Sequence, residues 1–228
     1  MNNRELLLCV CKEIEGLLDQ LVLVGGCATG LLITDVAAPE PRPTKDVDMV
    51  IDVINLAEYY KIEKQLRELK FTQSIDDQGV ICRWVKNELM LDVMPTNEKI
   101  LGFTNRWYAS AVEHAQHIVI DGLGINYISA PIFIATKLEA FHTRGKSDYW
   151  SSHDLEDLIS VIDGRNTIID EMTSAPDKVI NYISEHFSAM LDSEAFNEAL
   201  PGLLPPDKAG QARLNLLLDK ITHIARLT

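Results

Sequence analysis

Residues 21–52, LVLVGGCATGLLITDVAAPEPRPTKDVDMVID, constrain the fold more than any other stretch. An apolar run from Leu21 to Val24 has strand character, meets Gly25-Gly26, and gives way at once to a helical pattern from Gly26 to Thr34. Pro39, Pro41 and Pro43 exclude regular structure from the loop between Asp35 and Thr44. A second apolar run ending at Asp52 then carries Asp46-Val47-Asp48. The order is strand, glycine turn, helix, loop, acidic strand, which predicts an α/β (α+β) chain.

Side chains alternate along a strand, so Asp46 and Asp48 share one face while Val47, Met49 and Ile51 suit the core. Their Cα atoms lie roughly 6.6 Å apart, and two such carboxylates can converge on metal ions spaced about 3.5–4 Å. Asp52 has the same parity but sits too far along the strand to share those ions, and is read as a strand end. The glycine turn leaves room for phosphate oxygens to reach backbone N–H groups at the start of a helix, where the dipole is positive. Singly, a Gly-Gly is more often a plain turn and an Asp-x-Asp pair is usually solvated surface; in this order, each joined to an apolar strand, they point to a phosphate and metal site.

The pattern resembles that of the polymerase-β-like nucleotidyltransferase superfamily. Arg42-Pro-Thr44-Lys45-Asp46-Val47-Asp48 resembles the Arg-x-Thr-x-Asp-x-Asp segment of its AbiEii/AbiGii (MenT-like) toxin branch. The resemblance implies a nucleotidyltransferase mixed-sheet core over residues 1–128. It implies magnesium or manganese held by Asp46, Asp48 and a third carboxylate, and transfer of a nucleotide from a nucleoside triphosphate. It also implies a toxin–antitoxin setting, with a cognate antitoxin protein as partner and RNA, tRNA ends in particular, as acceptor. Gly25, Gly26, Arg42 and Thr44 are placed on the phosphates. Many relatives carry Gly-Ser at the turn; here Gly26 leaves only backbone donors. Lys45 is read as simply exposed.

The third carboxylate is sought on another apolar strand. Val80 to Lys86 and Leu89 to Met94 read as a hairpin across Asn87-Glu88, after a short edge strand from Phe71 to Ser74. Asp92 is a lone charge in the second arm, costly there unless it is paired or binds metal. The resemblance makes it the third metal ligand, favouring deprotonation of the attacking hydroxyl; the alternative is a strand-end residue capping a turn near Pro95. The other elements are helices from Asn3 to Asp19, from Asn55 (as N-cap) to Lys70 and from Thr104 to Gln116, and a hairpin of His117–Asp121 with Leu123–Ile128.

A helical region over residues 129–228 follows. Ser129 starts a helix with Pro131 in its first turn, on which Lys137 and Arg144 share a face, with Lys146 just beyond. These cations can grip a triphosphate tail or form a solvated basic face. Lys137, set among apolar residues, is the least idle of the three, and Lys137-Leu-Glu-Ala140 is similar to a functional Lys-x-x-Ala-like helix of the toxin branch. Ser151 or Ser152 caps the next helix. His153-Asp154-Leu-Glu-Asp157-Leu158 resembles the branch's Arg-Asp-x-x-Asp-Leu, with His153 replacing the arginine. Asp157 is taken as functional, and Asp154 as at least equally a favourable charge at a helix start. Helices from Pro176 to Leu191 and from Asp207 to Leu227, broken by residues 201–206, show no chemistry.

Composition narrows the function classes. A net charge of −13 over 228 residues removes any broad basic footprint for nucleic acid, so an RNA acceptor is held only at its last few nucleotides. Cys9, Cys11, Cys27 and Cys82 form no Cys-x-x-Cys pair, which argues for reduced thiols rather than a zinc knuckle. No apolar run spans a membrane and acidic residues interrupt the N-terminal apolar run, so a cytoplasmic location is expected. Three readings stand: a toxin-like nucleotidyltransferase acting on a macromolecule, a small-molecule (antibiotic-type) nucleotidyltransferase, and a non-catalytic nucleotide-binding module. The intact Asp46, Asp48 and Asp92 set argues against the last.

Overall fold

Helix α1, Asn3–Glu13, opens the computed structural model, which describes residues 1–74, 81–145 and 147–227. Asn2 caps it: its side chain accepts from the Glu5 amide at 2.9 Å while the Glu5 carboxylate takes the Asn2 amide, so two orphan donors are satisfied reciprocally. The sequence predicts this helix to Asp19. Instead it ends at Glu13, and Glu15–Gln20 wind as a 3-10 turn that delivers Leu17 and Leu18 into the core just ahead of the first strand.

That strand, β1 (Leu21–Val24), is buried along its whole length, as expected of a strand covered on both faces. It runs directly into α2 (Gly25–Leu32), and the loop leads to β2 (Val47–Ile51). Asn55 caps α3 (Leu56–Glu68), accepting from the Glu58 amide at 3.0 Å as its sequence position predicts. Buried Tyr59 ties this helix to the sheet through its hydroxyl, which donates to the Val93 carbonyl at 2.8 Å. The edge strand β3 is Thr72–Gln73. The hairpin follows as β4 (Arg83–Lys86) and β5 (Leu89–Pro95). Val80, expected to begin the first arm, lies outside the described residues.

A short α4 (Glu98–Leu101) precedes α5 (Tyr108–Glu113). The helix expected over Thr104 to Gln116 is therefore cut at both ends. Side chains compete for the backbone at its start: Asn105 accepts from the Trp107 amide at 3.0 Å, and the Thr104 hydroxyl donates to the Pro95 carbonyl at 3.1 Å. At the other end Gln116 is taken into β6 (Gln116–Ile120), which pairs with β7 (Leu123–Tyr127) across Asp121-Gly122. Both turn residues have positive φ, the backbone twist that a two-residue hairpin needs.

Among the described residues, seven strands form one mixed sheet in the order β3-β4-β5-β2-β1-β7-β6. β2 is antiparallel to β1 and parallel to β5, while β1 is parallel to β7. Helix α1 packs on β2, β5 and β7, and α5 on β1 and β2. The four cysteines are thiols; Cys9 is exposed, and Cys11, Cys27 and Cys82 are buried.

The chain divides into two compact units. The first comprises Met1–Gly30 and Arg42–Ser129 and contains the whole sheet. The second comprises Leu31–Pro41 and Ala130–Thr228. Its helices are α6 (Ala130–Thr143), α7 (His153–Gly164), α8 (Ile168–Thr173), α9 (Asp177–Leu191), α10 (Glu194–Ala199), α11 (Lys208–Ala212) and α12 (Leu214–Ile224). Nearly all of α6 is buried, as a helix apolar on every side must be, and α7, α8 and α9 pack around it. The long final helix expected from Asp207 to Leu227 is broken at Arg213. There the guanidinium donates to Asp163 at 2.7 Å and to Asp35 at 2.7 Å, contacts that fix the break. Among the described residues, no helix is long and apolar enough to cross a membrane.

Candidate active site

The register of the sheet assembles the site in the first unit. Asp48 on β2 is the direct partner of Val24 on β1 and of Asp92 on β5, and Asp92 is in turn the partner of Arg83 on β4. Residues directly opposite one another on adjacent strands project from the same face. Arg83, Asp92 and Asp48 therefore form a row across neighbouring strands. Asp46, two residues before Asp48, has the same parity at the mouth of β2.

The arginine organises the row. Its Nε donates to Asp92 Oδ1 at 2.9 Å, and its Nη2 donates both to Asp92 Oδ2 at 2.7 Å and to Asp46 Oδ2 at 2.9 Å. The Asp92 side chain is 8% exposed, Arg83 22% and Asp46 27%. A carboxylate as buried as Asp92 requires a partner of this kind. The nearby Cys82 thiol is pushed up to about 12, by burial first and then by the charges of Asp92 and Asp48.

Asp48 lies over the glycine turn. Gly25 has φ of +64°, and a Cβ built on it would sit 2.0 Å from Asp48 Oδ2. Only a residue without a side chain lets the carboxylate lie against the first turn of α2. The loop beside the row is pinned by a side chain that sequence reasoning missed. Asn3 on α1 donates from Nδ2 to the Arg42 carbonyl and accepts the Thr44 amide on Oδ1, both at 2.9 Å, replacing the strand pairing that the prolines forbid. Thr44, expected on phosphate, donates its hydroxyl to Asp46 Oδ1 at 2.9 Å. The Cys27 thiol donates to the Asp46 carbonyl at 3.4 Å. Together these contacts aim Asp46 along the face. Lys45 is exposed.

Three carboxylates on one face, with a glycine cradle beside Asp48, are hard oxygen donors of the type that magnesium or manganese takes. In donor chemistry Asp46, Asp48 and Asp92 fit such an ion. Among the described residues, though, no three His, Cys, Asp or Glu side chains converge as a ready cation cage; Asp46 and Asp92 are turned to Arg83. The guanidinium occupies oxygens of Asp46 and Asp92 that an ion would take.

A separate constellation lies in the second unit. Lys137 on α6 is 5% exposed and donates to Asp157 at 2.6 Å and to Asp154 at 3.0 Å, both on α7. Burial alone would lower the Lys137 pKa, but the charges of Asp157 and Asp154 and their hydrogen bonds raise it above 10.5. Burial likewise opposes ionisation of Asp154, and Lys137 and Arg144 overcome it, holding that carboxyl below 3.8. Arg144 donates to both oxygens of Asp154 at 3.0 Å, so the cation expected on a phosphate tail is engaged with a carboxylate. Asp154, read at least equally as a favourable helix-start charge, is a buried member of the cluster. Ser152 is the N-cap of α7, accepting from Leu155 at 3.2 Å. Lys146 lies outside the described residues.

Among solved structures, the chain is similar to an antigenic nucleotidyltransferase-like protein from Paracoccidioides brasiliensis, at 17% sequence identity with a TM-score of 0.51. The likeness covers 86% of this chain and 93% of that one. It shows the fold, a nucleotidyltransferase-like mixed α/β architecture. No protein-family model and no curated protein matches the chain.

Proposed function

We propose that the chain is a nucleotidyltransferase that moves a nucleotide from a nucleoside triphosphate onto a macromolecular acceptor, with a tRNA 3′ end as the first candidate. One observation carries the reading: Asp48 and Asp92 stand in register on neighbouring strands beside Gly25, whose missing side chain opens the start of α2 to the carboxylate. Three carboxylates gathered on one face are a setting that attracts divalent cations. Backbone N–H groups at Gly25-Gly26 suit phosphate oxygens.

In this reading Asp46, Asp48 and Asp92 hold magnesium or manganese. When bound, the ion supplies charge compensation on the triphosphate and lowers the pKa of the attacking hydroxyl. The chain's own residues do the rest. Asn3 and Thr44 hold Asp46 in line, the glycine turn orients the triphosphate, and the carboxylate row receives the proton as the acceptor oxygen bonds to the α-phosphorus and pyrophosphate leaves. Lys137 and Asp157, and a toxin role with a cognate antitoxin, enter through the resemblance to the AbiEii/AbiGii branch alone.

The test is transfer of label from each of the four α-labelled nucleoside triphosphates to total tRNA in magnesium, followed by RNA binding across a salt series. The expected result is labelled tRNA and a shallow salt slope, since few phosphates can be held by so acidic a chain. Label on a protein or a small molecule would move the acceptor and keep the transfer. Absence of label on every acceptor in a cell extract would overturn the reading.

A further inference from the structure

Arg83 was not anticipated in the motif, yet it holds two of the three carboxylates on which the reading above depends. Its position is built, not incidental. The β4–β5 pairing sets Arg83 directly opposite Asp92. The guanidinium uses Nε and Nη2 as a fork on both oxygens of Asp92, and Nη2 also reaches across to Asp46. Forked Arg–carboxylate pairs are the strongest of the charge-assisted bonds. A divalent ion and this guanidinium need the same oxygens.

We propose that Arg83 is the resident counter-cation of the carboxylate row, which a divalent ion must displace from Asp46 and Asp92 before it can be held there. This inference rests on the proposed nucleotidyltransferase site and adds a positioning residue that sets its cation occupancy. Two consequences follow from the geometry. In the absence of an ion, Arg83 neutralises the most buried carboxylate and keeps the sheet intact. In the presence of an ion, affinity is reduced by the cost of breaking the fork, so that removing the fork strengthens ion binding while weakening the ion-free fold. A residue that merely braced the site would do the opposite to ion binding, because its loss would loosen the ligands.

The experiment is calorimetric titration of the full chain with Mn2+ alone, for wild type, Arg83→Met, Arg83→Lys and the double variant Arg83→Met/Asp48→Asn, with thermal unfolding of each at zero and saturating Mn2+. The expected result is that Arg83→Met binds Mn2+ about tenfold or more tightly than wild type, as losing a charge-assisted competitor implies. Arg83→Met also melts lower without the ion and gains more from it than wild type does. Arg83→Lys, which keeps the charge but not the fork, falls between the two. It carries the same test should the methionine variant fail to fold. The double variant loses the tight site. Equal or weaker Mn2+ binding by both Arg83 variants, with Asp48→Asn still abolishing it, overturns the inference and leaves the nucleotidyltransferase site standing. No Asp48-dependent Mn2+ binding in any of the four proteins overturns both.

Discussion

Substitution of Gly25 by alanine tests whether backbone and carboxylate are fitted to each other. Two effects add. The residue sits at φ of +64°, where any side chain is strained, at a cost of about 1–2 kcal/mol. The new Cβ would also fall 2.0 Å from Asp48 Oδ2, 2.5 Å from its Cγ and 2.7 Å from its Cβ. At those distances Asp48 cannot keep its place, and turning it off its rotamer costs about 0.5–1.5 kcal/mol more. The expected loss is about 1.5–3.5 kcal/mol, the sum of the two effects, or roughly 3–14 °C in Tm for a chain of this size. Gly122→Ala is the internal control. It has φ of +84° with nothing near the added atom, so only the backbone cost of about 1–2 kcal/mol applies there. Thermal unfolding compares the two, and Mn2+ titration reads the site. Gly25→Ala is expected to lose ion binding while Gly122→Ala keeps it. Equal destabilisation by both, with Asp48-dependent ion binding intact in Gly25→Ala, would refute the fitted-cradle argument.

Lys137→Met leaves Asp157 and Asp154 without the ammonium that they share, and is expected to cost about 3–5 kcal/mol in denaturant unfolding, as for a broken buried pair. The wild-type advantage depends on pH with a definite sign. Asp154 is held below 3.8, so its contribution is present above that value and fades as pH falls through the lowered one. Lys137 is held above 10.5, so its contribution is present below that value and fades as pH rises through the raised one; an advantage that grows below pH 3.8 would contradict the pairing. Arg213→Ala strips Asp163, only 4% exposed, of a two-pronged partner, and is expected to cost about 3 kcal/mol or more in the same assay. A change under about 0.5 kcal/mol, the usual surface value, would show that the helix break at Arg213 does not depend on these contacts.

What could be read in the sequence was local. The apolar runs at Leu21–Val24 and through Asp48, the Asn55 cap and the hairpin across Asn87-Glu88 each depend on neighbours in the chain, and each forms, the hairpin with its first arm starting only at Arg83 because Ile81 and Cys82 lie in a turn. With a two-residue loop, Lys86 faces Leu89, and stepping back three residues on each arm puts Arg83 opposite Asp92, so the arginine on the buried carboxylate was derivable. The alignment of Asp48 with Asp92 was not, because it depends on β2 lying parallel to β5 at a register that no local pattern encodes. Nor was the role of Asn3, whose side chain joins a loop some forty residues away. The final helix failed for a similar reason. Its apolar stripe favours continuity, and the break at Arg213 is set by Asp35 and Asp163, both remote in sequence.

We propose that the Asp48–Asp92 row is the reacting centre. It is tested most directly by pyrophosphate release from nucleoside triphosphates in magnesium and cell extract RNA, comparing wild type with Asp48→Asn and Asp92→Asn, each shown to be folded by circular dichroism. Wild type is expected to show RNA-dependent release, falling about a hundredfold or more in each variant, as when charge compensation at a transferring phosphoryl group is lost. Release at the wild-type rate by folded Asp48→Asn and Asp92→Asn would contradict it.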